Sequence, residues 1–366
     1  MELDKNTYSD ESLSSEDEVE VEETFLGRVL GNKYLIIGYI GRGTFARIFL
    51  VWDCIKDVYR AAKVFSFENI DEANNEIKLH QILGNNPYIP TLFESFSLKN
   101  KSILIFELLG VSLIKILNDL ENNLFKISKE LSDKIILDCL RGIDYLHKNK
   151  IVHLDIKPEN ILTNIIPYRI RNIILNFKKC NPKEKYDAIF NGYILENQEK
   201  LNTLCVYKKK MLKRKLKIRS IKQIPIPQTE KSFEEKYDIN VLKNGDFKAK
   251  IIDLGNSEME FIAKEIIQPQ YLNCYRPFFD KYYSCKSDIW ALGCIYYELL
   301  TNGEYLCEDN AILLFKYFGV PKNSLEGVYE PDSLYEKLGN NYLKFFFVYD
   351  QHIRLDAENL IKLISK

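Results

Sequence analysis

The sequence predicts an α+β chain: a small antiparallel sheet with one helix comes first, and a larger helical part, broken by a long insertion, follows. Three observations carry this. Short β-branched and aromatic runs separated by turn residues fill roughly the first 110 residues. Apolar residues at helical spacing then take over in Ser128–Lys148 and Ile289–Leu300. Between those helices, residues 164–246 are rich in Lys, Asn and Ile and contain the stretch Ile-Pro-Ile-Pro-Gln at 224–228.

Residues 2–23 carry ten Asp and Glu against one lysine, Lys5. Such a segment buries too little apolar surface to offset the entropy of ordering, so an acidic disordered arm is expected over residues 1–30, with structure starting near Tyr34. Tyr34–Ile40 predicts a strand, followed by a glycine turn. Further strands are expected over Arg47–Trp52, Tyr59–Phe65 and Ser102–Glu107. Asn69–Leu83 places Ile70, Ala73, Ile77 and Leu83 at helical spacing. In Ser128–Lys148, Leu131, Ile135, Cys139, Ile143 and Leu146 share one stripe, and Ser128 is a fitting N-cap. Ile289–Leu300 is apolar almost all round, which marks a fully buried helix. A strand-rich lobe followed by a helix-rich lobe leaves a cleft between the two.

Composition narrows the function classes. The formal net charge is −1, which argues against nonspecific attraction to nucleic acid or anionic lipid. The eight cysteines include no Cys-x-x-Cys spacing and only four histidines accompany them, so free thiols in a reducing compartment are expected. The N-terminus lacks the apolar run of a secretory signal, and no apolar run approaches the length that spans a bilayer. A soluble intracellular protein without a membrane contact is expected.

Gly41-Arg-Gly-Thr-Phe-Ala46 lies between two predicted strands. Glycines permit the close backbone approach that a phosphate-covering hairpin needs, although the same pair also fits an ordinary turn. Lys63 follows Ala61 and Ala62 on the third strand, and Glu76 on the next helix could pair with it. The strongest signal is Val152-His-Leu-Asp-Ile-Lys-Pro-Glu-Asn-Ile-Leu162. It supplies a carboxylate base, Asp155, a cation to balance phosphate charge, Lys157, and an amide to hold a metal, Asn160, within one short loop. Ile251-Ile-Asp-Leu-Gly255 ends a strand in Asp-x-Gly, where Asp253 could bind Mg²⁺ and the glycine allows the turn.

With these residues the chain resembles the eukaryotic protein kinases over about 31–163 and 247–366, and within them the SR-protein kinases. The loop His153-Leu-Asp-Ile-Lys-Pro-Glu-Asn-Ile-Leu162 is close to that family's, as are the metal motif Asp253-Leu-Gly-Asn256 and the hinge Phe106-Glu-Leu-Leu-Gly110. Tyr275-Arg276 matches the wider group, and the long insertion falls where SR-protein kinases carry a spacer. The resemblance implies a bilobal protein kinase fold with these parts: N-lobe and hinge at 31–110, C-lobe at 111–163 and 247–366, and a basic spacer at 164–246.

It also implies ATP and Mg²⁺ as cofactors and residue roles by position. Ile40, Gly41, Arg42, Gly43, Thr44, Phe45, Ala46, Arg47 and Ile48 would cover the phosphates and adenine, with Ala61 and Leu162 also among the nucleotide-binding residues. Lys63, held by Glu76, would contact the α/β-phosphates; Glu107 and Leu109 would offer backbone groups to adenine, with Phe106 as gatekeeper. Asp155 would be the base, Lys157 would steady the γ-phosphate, Asn160 and Asp253 would bind Mg²⁺, and Asp288 would cap the catalytic loop. The implied activity is Ser/Thr phosphorylation of Arg/Ser-rich proteins, linked to mRNA splicing, in cytoplasm and nucleus. The alternatives are a kinase of another substrate class and a binding-only pseudokinase.

Three positions and one segment depart from the wider kinase pattern, the first of them in the SR-protein kinases as well. Leu154 stands where many kinases have an arginine, Phe279 where they have a glutamate whose partner would be Arg354, and His80 where an apolar residue is usual. The segment from Leu306 to Phe315 is short. Residues 207–222 carry nine Lys and Arg and no acid, which fits either a solvated face or a patch read by a nuclear importer, an acidic partner or RNA. Tyr207 alone offers an aromatic there, so direct nucleic-acid binding is not expected. An insertion that is partly ordered at best, with ends close together, would be replaceable by a short linker without loss of catalysis.

Overall fold

The computed structural model describes residues 25–43, 45–98, 100–227, 236–259, 284–304, 306, 342–348 and 351–365. The acidic segment 1–24, Thr44, Tyr271, Tyr275, Arg276, Phe279, Glu308 and Asp309 lie outside them.

In chain order the strands are β1 (Val29–Leu30), β2 (Tyr34–Arg42), β3 (Ala46–Asp53), β4 (Val58–Phe65), β5 (Leu92–Leu98), β6 (Lys101–Glu107), β7 (Ile151–Val152), β8 (Ile161–Thr163), β9 (Ala249–Ile251) and β10 (Glu258–Met259). The helices are α1 (Ile70–Leu83), α2 (Leu113–Glu121), α3 (Lys129–Lys148), α4 (Tyr168–Lys179), α5 (Pro182–Glu196), α6 (Gln198–Thr203), α7 (Val206–Ile221), α8 (Ile239–Lys243), α9 (Cys285–Leu300) and α10 (Ala357–Ile364). The expected α+β order is present, with strands first and helices after. Structure begins earlier than Tyr34, because β1 pairs antiparallel with β2 through Val29↔Leu35 and Leu30↔Tyr34. None of the described helices is long and apolar enough to cross a membrane.

The chain forms two compact units, Met1–Val64 with Arg169–Glu234, and Phe65–Tyr168 with Glu235–Lys366. In the first, β1, β2, β3 and β4 lie side by side in that order. The β2–β3 pair shifts register between Ile36 and Gly38 and again between Tyr39 and Gly41. Such bulges strengthen local twist and bend the strand that leads into the glycine turn.

The insertion corrects the expectation of partial order over residues 168–222. Its helices pack on the strands of the first unit. In α4, Ile170, Ile173 and Phe177 are buried at spacings of three and four, a narrow buried stripe on a helix that also carries Arg169, Arg171, Lys178 and Lys179. Ile173 Cδ1 sits over Gly38, where a Cβ would be 3.1 Å away. The rings of Trp52 and Phe177 meet edge to face at 5.5 Å, and Tyr186 of α5 approaches Trp52 at 6.3 Å. Arg169 donates to the Tyr39 carbonyl. Trp52 and Phe177 are fully buried, so both sides of this interface are core rather than surface.

The second unit holds one continuous core. Helix α3 runs through it, burying Ile135, Ile136, Cys139, Leu140, Ile143 and Leu146 and packing against α9, α10 and β9. Its predicted cap is present, with Ser128 accepting from the Leu131 N–H at 3.3 Å. Helix α9 is buried along nearly its whole length, as its all-round apolar sequence requires, and starts with a reciprocal Ser284–Ser287 capping box. Arg354, expected to lack its usual partner, is buried and donates to the carbonyls of Val348 at 2.8 Å and Lys286 at 2.7 Å. Its guanidinium also lies 5.0 Å from the ring centroid of Trp290.

Candidate active site

Two short antiparallel pairs build the site in the second unit. β8 pairs with β9 through Ile161↔Ile251, and β7 pairs with β10 through Val152↔Glu258. Short strands, their buried residues mainly Ile and Val and their sequences also including Lys250 and Glu258, hold the polar residues of the intervening loops in place. The loop 153–160 and the turn 252–257 are thereby held side by side. The Ile252 N–H donates to the Asn160 carbonyl at 2.9 Å. His153 Nδ1 accepts from the Asp155 N–H at 3.2 Å, which leaves the ring hydrogen on Nε2, 3.0 Å from the Ile252 carbonyl. Ser257 Oγ donates to the His153 carbonyl at 3.2 Å.

Three of the expected site residues meet in this loop. Lys157 Nζ is 3.1 Å from Asp155 Oδ2. Asn160 Nδ2 donates to the Asp155 carbonyl at 2.9 Å and to Asp155 Oδ2 at 3.0 Å. Asp155 and Lys157 are half-buried and Asn160 is buried. A carboxylate held between an ammonium and an amide can accept a proton, and the ammonium can balance nearby negative charge.

The backbone here is strained. Leu154 has φ +67° and Asp253 φ +66°, in the left-handed region that residues with a Cβ seldom adopt. Asp288, in the first turn of α9, holds the first of these in place. Its carboxylate accepts from the His153 N–H at 2.9 Å, the Leu154 N–H at 3.0 Å and His147 Nε2 at 2.9 Å. The helix N-terminus favours the negative charge of this buried group.

Helix α1 reaches the same turn. Asn75 Nδ2 donates to the carbonyls of Gly255 at 3.0 Å and Ser257 at 2.9 Å. The next residue, Glu76, is buried. His80 meets the edge of Phe106 at 5.1 Å, so the polar ring is used as a packing surface. Glu107 accepts from the Thr91 N–H at 2.8 Å and is bridged by Lys250. Behind it, Gly110 donates to the Thr163 carbonyl at 2.7 Å, and a Cβ at Gly110 would lie 1.9 Å from the Ile165 carbonyl oxygen. Only glycine fits that approach. Leu109 is buried and Leu162 half-buried beside this crossing.

The remaining expected residues lie in the first unit. Ile40–Arg42 and Ala46–Ile48 pair through Gly41↔Ile48 and Arg42↔Arg47, and the Gly43 N–H donates to the Ala46 carbonyl at 2.8 Å. The turn is therefore a closed hairpin tip, with Phe45 half-buried and Thr44 outside the described residues. Ala61 and Lys63 are on β4, half-buried on either side of the fully buried Ala62.

Asn160 and Asp253 suit a magnesium ion by chemistry. Both offer hard oxygen donors, and Asn160 turns its nitrogen to Asp155, which directs the amide oxygen away from it. Among the described residues no group of three or more His, Cys, Asp or Glu could hold a metal alone. Magnesium is commonly held by one or two protein oxygens together with substrate phosphates.

Sequence reasoning did not single out Asn75, His147, His153, Ser257 or Lys250 for their parts here. His153 and Ser257 flank the two motifs and were available by proximity. Asn75, His147 and Lys250 carry no sequence signal, because their partners lie more than a hundred residues away.

Residues 34–171 match the family model described as a protein kinase domain. Dual specificity tyrosine-phosphorylation-regulated kinase 3 of Homo sapiens is 32% identical over 140 residues, which are 36% of this chain and 24% of the relative. Dual specificity protein kinase YAK1 of Saccharomyces cerevisiae is 29% identical over 145 residues, 37% of this chain and 18% of that protein. The match thus spans a quarter or less of these relatives' length. The α+β fold is that of a bilobal protein kinase, and residues 34–171 are similar to a protein kinase domain.

Proposed function

We propose that the chain is an ATP-dependent protein kinase that phosphorylates serine or threonine. The observation that carries this reading is the joined loop of Asp155, Lys157 and Asn160, with Asp253 held in the adjoining strained turn. In the proposed reaction a substrate hydroxyl oxygen bonds to the γ-phosphorus of ATP as the bond to ADP breaks. The hydroxyl proton passes to Asp155. Lys157 offsets charge on the transferring group, and Asp288 positions the loop through His153 and Leu154. Asn160 and Asp253 would hold Mg²⁺, which when bound neutralises phosphate charge. Lys63 with Glu76 would fix the α/β-phosphates. The hairpin Ile40–Ile48, with Ala61, Leu162 and the backbone of Glu107 and Leu109, would enclose the nucleotide.

The resemblance to SR-protein kinases supports a basic, Arg/Ser-rich substrate, a link to splicing, and work in cytoplasm and nucleus. Exposed Glu304 is an acidic side chain that could meet such a substrate. The relatives named dual-specificity kinases favour a second reading, in which tyrosine is also accepted. The test is phosphate transfer from Mg-ATP to a peptide panel: Arg/Ser repeats, Ser-Pro, acidic and Tyr-containing peptides. Preferred labelling of Arg/Ser peptides supports the first reading, and equal labelling of Tyr peptides supports the second. Nucleotide binding without transfer to any peptide would leave a binding-only scaffold and refute both.

A further inference from the structure

Helix α7 carries eight Lys and Arg and no acid in sixteen residues. It is a rigid element rather than a loose tract: Leu216, Ser220 and Ile221 are buried, and Arg219 stacks on Tyr193 of α5 at 4.6 Å. Lys208, Lys210, Lys213 and Lys215 are exposed, and none makes an ion pair with a described residue. A dense cationic face whose exposed lysines have no ion-pair partner among the described residues raises its own electrostatic energy, which an anionic partner would lower.

Phe25 stacks on Phe49 at 5.0 Å in the same unit. Two residues on, a Cβ at Gly27 would be 3.6 Å from Ile226, just beyond the end of α7. Asn32 accepts a hydrogen bond from Arg214 of α7 itself. The segment 25–32 therefore runs alongside the basic helix and its exit. The residues immediately before it, 2–23, carry ten acids and one lysine.

We propose that the basic face of α7 is the docking surface for this chain's own acidic segment, residues 2–23. Reach is ample: some twenty extended residues span roughly 70 Å, against about 24 Å for α7. Tethering keeps the acidic segment at an effective concentration on the order of millimolar, so pairs that are individually weak can act together. Docking would shield α7 from other polyanions and would be salt-sensitive. The inference is independent of phosphoryl transfer.

The test uses the full chain. Zero-length carbodiimide cross-linking in a mixture of isotope-labelled and unlabelled chains should join carboxylates of residues 2–23 to Lys208, Lys210, Lys213 or Lys215 within one chain. The yield should fall about tenfold between roughly 50 mM and 500 mM salt, as the Debye length shrinks. A second measurement leaves α7 intact. Neutralising the acidic segment (Glu16→Gln, Asp17→Asn, Glu18→Gln, Glu20→Gln, Glu22→Gln, Glu23→Gln) should raise acylation of those four lysines severalfold, with the melting curve unchanged. Cross-links that go to other lysines or between chains would overturn the proposal, as would unchanged lysine reactivity. An RNA oligonucleotide that binds the full chain as tightly as the neutralised one would overturn it too, and would make α7 a nucleic-acid face.

Discussion

Ile173 of the inserted helix α4 covers Gly38 of β2 so closely that a Cβ there would stand 3.1 Å from its Cδ1. The insertion is thus a second layer over the strands that lead into the glycine hairpin, anchored again where Arg169 meets the Tyr39 carbonyl. Replacing residues 168–222 with a short linker is therefore expected to expose Trp52 and leave the first unit insoluble, or to lower Tm by at least about 10 °C. Ile173→Ala should cost about 2–5 kcal/mol. Because the covered strand feeds the hairpin, the same variant should raise KM for ATP with kcat per folded molecule nearly unchanged. Calorimetry and ATP-dependence kinetics check both, and a linker variant with wild-type Tm would remove the insertion from the fold.

Asp155→Asn should lower kcat by roughly 10²–10⁴-fold while nucleotide affinity is kept. The amide is isosteric, so the contacts from Lys157 and Asn160 retain their geometry while the proton acceptor is lost. Single-turnover transfer and nucleotide titration separate the two effects. Retention of more than about half the wild-type kcat would mean that another group takes the proton.

Much of this was legible because local patterns and chemistry agreed. The turn between β2 and β3, the capped 20-residue helix α3 and the loop 153–160 each announce themselves within one short stretch of sequence. Strand β5, Leu92–Leu98, was missed, because its sequence LFESFSL mixes polar residues with its apolar ones and only its partner β6 is strongly apolar. The inserted helices were missed for a related reason. Their apolar stripe in α4 is only Ile170, Ile173 and Phe177, and what it packs against, Gly38, Trp52 and Tyr59, lies over a hundred residues earlier. Composition rich in Lys and Asn then outweighed three well-placed residues. Bridges such as Asn75 to Gly255 are likewise properties of the folded chain alone.

Activity should not depend on phosphorylation of the segment after Asp253. Leu154 offers no cation to a phosphate, and its N–H is held by Asp288. Ser257 is fully buried and donates to the His153 carbonyl, so it is no acceptor in the folded chain. Protein produced in a host without eukaryotic kinases and treated with phosphatase should keep its full rate on peptide. A loss beyond about tenfold on phosphatase treatment would place a required phosphate in this segment, since charge-assisted contacts of that kind order loops.

The insertion interface should also make stability fall in alkali. Burial beside Tyr186 pushes the Cys54 thiol from its ordinary 9.0 up to about 12, and burial pushes the Tyr186 phenol up as well. Both groups hold their protons in the folded chain over a range in which the unfolded chain has released them. The folded state therefore binds more protons than the unfolded one, and stability must decline as pH rises. Below pH 9 the contribution is fully present; it is lost progressively as pH climbs toward 12. Denaturant melts between pH 8 and 11 should show this slope, and Cys54→Ala with Tyr186→Phe should flatten it, even if that variant is less stable at pH 8 through lost packing. Cys54 should also resist alkylation under native conditions at a pH where exposed Cys205 reacts freely, because the attacking species is the thiolate and burial withholds it. Equal alkylation of the two cysteines in the folded protein would show that α5 does not cover the end of β3, and with it that the insertion does not seal this face of the strands.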